Sequence, residues 1–168
     1  DPDVTEARYM QVIDFKTAKL FEASCRLAGI VTGQSNEAVA NLGRFGAEVG
    51  SAFQLIDDVL DYAGESAALG KNVGDDLREG KPTLPLIHAM QHAAPQVQTQ
   101  IRDAIANGGT QDVSAIMASI EQTGSLAYTR DKAQALSESA KTRLGTLTGN
   151  PYTEALAMLC DVAVNRNS

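Results

Sequence analysis

What the chain lacks narrows the reading first. Its 168 residues contain no apolar run of the roughly 18 or more needed to cross a bilayer as a helix. No leader with a basic start and an apolar centre opens it, so the expectation is a protein neither inserted in a membrane nor secreted. Positive charge is scarce: 14 Lys and Arg stand against 21 Asp and Glu, a formal net charge of −7. Phosphate backbones attract basic surfaces, so nucleic acid is set aside as a partner. Cysteine is limited to Cys25 and Cys160, both inside apolar helical patterns. They read as reduced core residues, which suits the cytoplasm. Strand-type alternation, internal repeats and low-complexity segments are absent too. That leaves an all-α class, at a length suited to one helical domain over residues 1–168.

What is present is helix after helix. In the Asp1-Pro2-Asp3 start, Asp3 stands three before Glu6, a variant of the capping box. The positions of Tyr9, Val12, Ile13, Leu20, Phe21, Leu27, Ile30 and Val31 predict a helix to a stop near Gly33, about 40 Å at 1.5 Å per residue. Ser35 or Asn36 caps a second helix running to about Asp61. Inside it Gly43, Gly46 and Gly50 recur at spacings of three and four. Each costs about 1 kcal/mol against alanine, which asks for a reason. Close helix packing is the preferred one, and access for a long apolar chain the alternative. Thr83 is the expected cap of a third helix with Pro85 in its first turn. His88 and His92 on it are four apart, a chelating spacing, but no third ligand is placed nearby. Pro95 restarts the helix and Asn107-Gly108-Gly109 ends it. Residues 111–123 and 125–145 read as two more helices, capped near Asp112 and Ser125. Asn150-Pro151 starts a last one, with Leu156, Leu159, Val162 and Val164 as its expected core positions.

One helix end breaks local rules. Phe53-Gln54-Leu55-Ile56-Asp57-Asp58-Val59-Leu60-Asp61-Tyr62 places three acids near a C-terminus, where the helix dipole is already negative. Asp57 and Asp61 are four apart and share a face, with Gln54 one turn earlier. Each penalty is a few tenths of a kcal/mol up to about 1, yet their coincidence marks a site. A divalent cation on oxygen ligands would relieve it, and Mg²⁺ is the natural choice if phosphates complete its shell. The plain alternative is a solvated acidic helix end. Downstream, residues 64–82 hold four glycines with Lys71, Arg78 and Lys81 and no apolar periodicity. A loop of that length beside such a cluster is expected to be a lid, mobile until a ligand orders it. Its lysines suit a polyanion bridged by metal.

These residues carry a resemblance. Phe53-Gln54 with Asp57-Asp58-x-x-Asp61, then Gly70-Lys71, Gly74-Asp75-Asp76 and Glu79-Gly80-Lys81-Pro82-Thr83-Leu84-Pro85, resemble the second aspartate-rich motif and following loop of the trans-polyprenyl diphosphate synthases. Lys16-Thr17-Ala18 is similar to the Lys-Thr pair those enzymes carry on the preceding helix. The wording from Tyr9-Met10 to Glu22-Ala23 most resembles their long-chain bacterial members. Asp75-Asp76 with Glu79 falls where the family has its mobile loop, so it does not count as the family's first aspartate-rich motif. That motif and its arginine pair belong to an N-terminal half not found in these residues, and the resemblance covers about the C-terminal half of a family enzyme.

The resemblance implies an isoprenoid-synthase helical bundle and chain elongation. An allylic diphosphate ionises, and the double bond of isopentenyl diphosphate attacks the allylic cation. It implies Asp57, Asp58 and Asp61 as the Mg²⁺ cluster, with Asp58 in support. Lys16, Thr17, Gln54 and Lys71 would hold the diphosphate or polarise the developing charge, with Lys81 as an additional substrate-binding lysine. It implies too a companion N-terminal half carrying the first motif, without which this chain is expected to be inactive, and a homodimer of the complete enzyme. The apolar faces around Phe15, Phe21, Phe53 and Leu60 are expected to be exposed where that half docks. Other classes stay open: a noncatalytic or regulatory subunit of a heteromeric synthase, or half of a terpene cyclase.

Overall fold

The computed structural model describes residues 1–63, 74–107, 113–145, 147 and 149–166. Lys71, Gly70 and the first part of the expected lid lie outside the described residues, as do Gly108, Gly109 and Asp112. Among the described residues the chain is all-α, without a strand.

The first long helix is built in three consecutive pieces: α1 (Glu6–Ile13), a π-helical turn (Asp14–Ala18) and α2 (Lys19–Val31). Then come α3 (Asn36–Ala63), the short α4 (Asp75–Arg78), α5 (Leu84–His92), α6 (Pro95–Asn107), α7 (Val113–Gln122), α8 (Ser125–Leu144) and α9 (Pro151–Val164). Contacts divide the chain into two compact units. One contains Asp1–Met10 and Asp57–Arg130, the other Gln11–Ile56 and Asp131–Arg166.

The first unit is cored by Tyr62, Leu77, Leu86, Ile101, Ile116 and Ile120. Two caps there differ from expectation. At the start of α1 the Thr5 hydroxyl accepts from the Arg8 N–H at 3.2 Å, while Asp3 pairs with Arg102. Thr83 precedes α5 without capping it, because its hydroxyl shares a 3.0 Å hydrogen bond with the Tyr62 phenol. Neither imidazole of the His88/His92 pair is set for chelation. The two rings stack at 4.2 Å, and His88 stacks on Tyr128 as well. His88 Nδ1 meets Ser125 Oγ at 2.9 Å, and His92 Nδ1 meets the His88 carbonyl.

Burial, followed by the neighbouring His92, holds His88 below the ordinary imidazole value, with Glu6 opposing. A lowered folded-state value means that the neutral ring is the stabilising form. Its contribution is present above about pH 6.5 and is lost as the pH falls through the folded value. The melting temperature is therefore expected to drop on acidification below about pH 6.5, and less steeply in His88→Gln. A pH profile identical in the two proteins would refute this.

In the second unit Phe45, Val49, Ala140, Leu144 and Cys160 form the core, with Phe21, Cys25, Leu156 and Ala157 packed on it. Both cysteines are free thiols. The glycines of α3 serve close packing. A Cβ on Gly46 would stand 2.4 Å from the Phe21 carbonyl oxygen, and one on Gly50 would stand 2.8 Å from Ala18 Cα. Ser35 caps α3 through the Ala38 N–H at 3.2 Å. Asn150 caps α9 in a reciprocal box with Thr153.

Five apolar positions sit differently from expectation, among them Leu60, which is partly buried and not exposed. On α9 the residues four and seven after Leu156, namely Cys160 and Ala163, are buried. Leu159 lies at the edge of that face and Val162 beyond it, and they are 51% and 60% exposed. Apart from the Glu154 and Asp161 stripe the helix is apolar, so periodicity could not choose the inward face within that wide apolar arc. Phe15 is 73% exposed, as anticipated. Phe21 and Phe53, however, pack on one another with ring centroids 6.0 Å apart, and Arg166 lies 3.9 Å over the Phe53 ring.

Candidate functional site

The acids of α3 differ in exposure because the helix turns them differently. At about 100° per residue, Asp61 lies between Asp57 and Asp58 around the axis. Their burial follows that order: Asp57 is exposed, Asp61 intermediate and Asp58 buried at 4%. Among the described residues Asp57 makes no hydrogen bond or ion pair. Asp58 accepts a short hydrogen bond from the Tyr9 hydroxyl. Burial, and then the Asp58 charge, raise the Tyr9 phenol far above its usual value, so it stays a donor.

Asp61 is tied to the segment that follows the undescribed stretch. Its carboxylate accepts from the Asp76 N–H at 3.2 Å, and its carbonyl accepts from the Gly74 N–H at 2.9 Å. Gly74 opens α4 with φ 79°, a left-handed conformation that costs glycine little and a side chain more. The Asp76 side chain in turn holds Lys81 Nζ at 2.9 Å, and Glu79 takes the same ammonium at 2.6 Å. These hydrogen bonds, Glu79 first and then Asp76, raise the Lys81 value and keep it charged. Lys81 is thus already partnered by carboxylates.

The other expected residues belong to the second unit. Lys16 and Thr17 fall inside the π-helical turn, a geometry frequent at functional sites because it re-aims side chains within a helix. Lys16 is exposed and, among the described residues, has no hydrogen bond or ion pair. Thr17 donates its hydroxyl to Gln54 Oε1 at 2.8 Å, and Gln54 is 8% exposed. Sequence reasoning missed three participants: Tyr9, whose hydroxyl grips Asp58; Asp76, whose N–H grips Asp61; and Tyr62. In each case the partner lies 15 or more residues away, and no local pattern announces it.

The donor set suits a hard divalent ion, since carboxylate oxygens are what Mg²⁺ takes. Among the described residues no three acidic, imidazole or thiol side chains converge closely enough to hold an ion by themselves. Such a set suits an ion whose shell is finished by a substrate's oxygens.

Comparison with known proteins bears on these features. The family model described as Polyprenyl synthetase matches residues 1–123. Octaprenyl diphosphate synthase of Escherichia coli (strain K12) is 46% identical over 168 residues, 99% of this chain and 52% of that protein. All-trans-nonaprenyl-diphosphate synthase (geranyl-diphosphate specific) of Rhodobacter capsulatus is 43% identical over 165 residues, 98% of this chain and 50% of that one. A crystal structure of polyprenyl synthase from Caulobacter crescentus CB15, complexed with calcium and isoprenyl diphosphate, matches with a TM-score of 0.88 at 37% identity. It is matched over 100% of this chain and 52% of its own. The chain thus spans about half the length of the relatives it matches. With the family model matched over most of its residues, the chain belongs to the polyprenyl synthetase family.

Proposed function

We propose that this chain supplies the second aspartate cluster of a trans-polyprenyl diphosphate synthase, which joins an allylic diphosphate to isopentenyl diphosphate. The observation that carries the reading is Asp57, exposed and without a protein partner among the described residues, one helical turn from Asp61. Support also comes from a relative that was crystallised with calcium and isoprenyl diphosphate. Asp57 and Asp61 would hold Mg²⁺, with Asp58 behind them. Bound there, the ion would draw off the negative charge that develops on the departing diphosphate.

Other groups of this chain act on the diphosphate and on the developing cation. Lys16 and Lys71 bind and orient the diphosphate, and Lys81 contributes as its carboxylate partners release it. Thr17 turns its hydroxyl from Gln54 to a diphosphate oxygen, while Gln54 Oε1 faces the developing cation. During ionisation the bonding electron pair leaves the carbon with the diphosphate oxygen, so lysines that meet those oxygens stabilise the transition state more than the ground state. We read the protein as cytoplasmic, in keeping with its two free thiols, and as a homodimer when complete. No helix among the described residues is long and apolar enough to cross a membrane.

Two measurements test the proposal. Calorimetry should find Mg²⁺ binding weak alone and tight with inorganic diphosphate; tight binding of the metal without any phosphate would overturn the assignment. In an elongation assay the 168 residues should be inactive by themselves, because one carboxylate cluster faces one side of a diphosphate. Activity should appear on adding a polypeptide that carries the first aspartate-rich motif. A mixture that stays inactive favours a noncatalytic subunit, and cyclised products favour a terpene cyclase.

A further inference from the structure

We propose that Tyr9 is a positioning residue for the acidic cluster: its hydroxyl, by holding the buried Asp58 carboxylate, fixes the rotation of α3 that turns Asp57 and Asp61 outward. This rests on the reading of those acids as a metal and diphosphate site. Tyr9 is 5% exposed and Asp58 4%, so the two groups meet away from water, 49 residues apart in sequence. A buried carboxylate is costly unless donors satisfy it.

Three carboxylates cover about 100° of the helix surface, and a roll of α3 that exposed Asp58 would carry Asp57 away from its present direction. The phenol prevents that roll by giving Asp58 a reason to stay inside. The aromatic ring of Tyr9 would be buried equally well as phenylalanine; the oxygen is what the acidic turn uses. The Asp76 N–H does the corresponding work for Asp61 from the other side of the sequence. The Tyr9 hydroxyl thus acts on the middle acid and the Asp76 N–H on the last, while Asp57 remains open among the described residues.

The test is a double-mutant cycle read by calorimetry with Mg²⁺ and inorganic diphosphate, alongside melting curves. Tyr9→Phe keeps the ring and removes the donor, and should weaken diphosphate binding roughly tenfold, as loss of a group that orients metal ligands commonly does. The half-saturating Mg²⁺ concentration should rise with it. Asp58→Leu removes the acceptor, and the double variant Tyr9→Phe/Asp58→Leu leaves neither group orphaned. If the tyrosine acts through Asp58, the double variant binds as weakly as Asp58→Leu alone. Unchanged binding in Tyr9→Phe, or losses that add in the double variant, would overturn the inference. A wild-type chain that binds no diphosphate with Mg²⁺ would overturn the functional reading beneath it. Wild-type binding with an indifferent Tyr9→Phe overturns this inference alone.

Discussion

Asp57→Ala is expected to reduce Mg²⁺-dependent diphosphate binding, and elongation by the reconstituted enzyme, by on the order of 100-fold, while leaving the melting temperature within a degree or two of wild type. The two halves of that expectation have different causes. Asp57 is exposed and unpartnered among the described residues, so no protein hydrogen bond is lost, and such substitutions usually stay within about 0.5 kcal/mol. Alanine is the better helix former, and its arrival relieves the repulsion with Asp61 by a few tenths of a kcal/mol. On the proposed function, what disappears is an oxygen ligand in a set too small to spare one. A pronounced fall in melting temperature, or diphosphate affinity close to wild type, would show that the acid is there for the fold.

Gly46→Ala should show the reverse pattern, a stability loss with the acidic end of α3 chemically unaltered. The added Cβ would meet the Phe21 carbonyl oxygen at 2.4 Å and Cys25 Sγ at 2.9 Å. The oxygen is backbone inside α2, so it cannot swing aside. Overpacking of this kind costs about 1 to 3 kcal/mol, and alanine's better helix propensity returns about 1. The clash is with a backbone atom at 2.4 Å, which puts the cost at the top of that range and the net loss at about 2 kcal/mol. For a chain of this size that lowers the melting temperature by about 4 to 8 °C. Gly149→Ala is the control, since nothing lies within 4 Å of the Cβ it would gain. Equal melting curves for the two variants would mean that α2 and α3 do not pack as described.

These two variants also mark what the sequence made legible. The acidic end of α3 was readable because Asp57, Asp58 and Asp61 violate local preference together, and the glycine series because each glycine is costly where it stands. Such anomalies are written in the chain itself. The grip of Tyr9 on Asp58 was not readable. Tyrosine at an apolar helical position looks like ordinary core, and its polar end acquires meaning only when residue 58 is brought to it. Thr83 illustrates the same limit: its type and place predict a cap, but the Tyr62 phenol competes for its hydroxyl. On α9, an apolar arc spanning all but the Glu154 and Asp161 stripe left Leu159 and Val162 indistinguishable from Cys160 and Ala163 until packing chose between them.

The π-helical turn at Asp14–Ala18 has a bearing on how this chain tolerates changes of length. Its hydrogen bonds reach five residues along instead of four, so the turn holds one residue more than the α-helical pieces that flank it. Deleting a single residue from it would leave enough chain for an ordinary α-helical turn, and the helix would close without a visible scar. Because that deletion removes the extra residue itself, the pieces on either side keep their rotation about the axis. Ala18 and Phe21 would still fill the places that Gly50 and Gly46 leave open. The same deletion inside α2, which holds no extra residue, would turn everything on one side of it by about 100° and break that packing. One turn of this helix thus tolerates a change of length that the next does not.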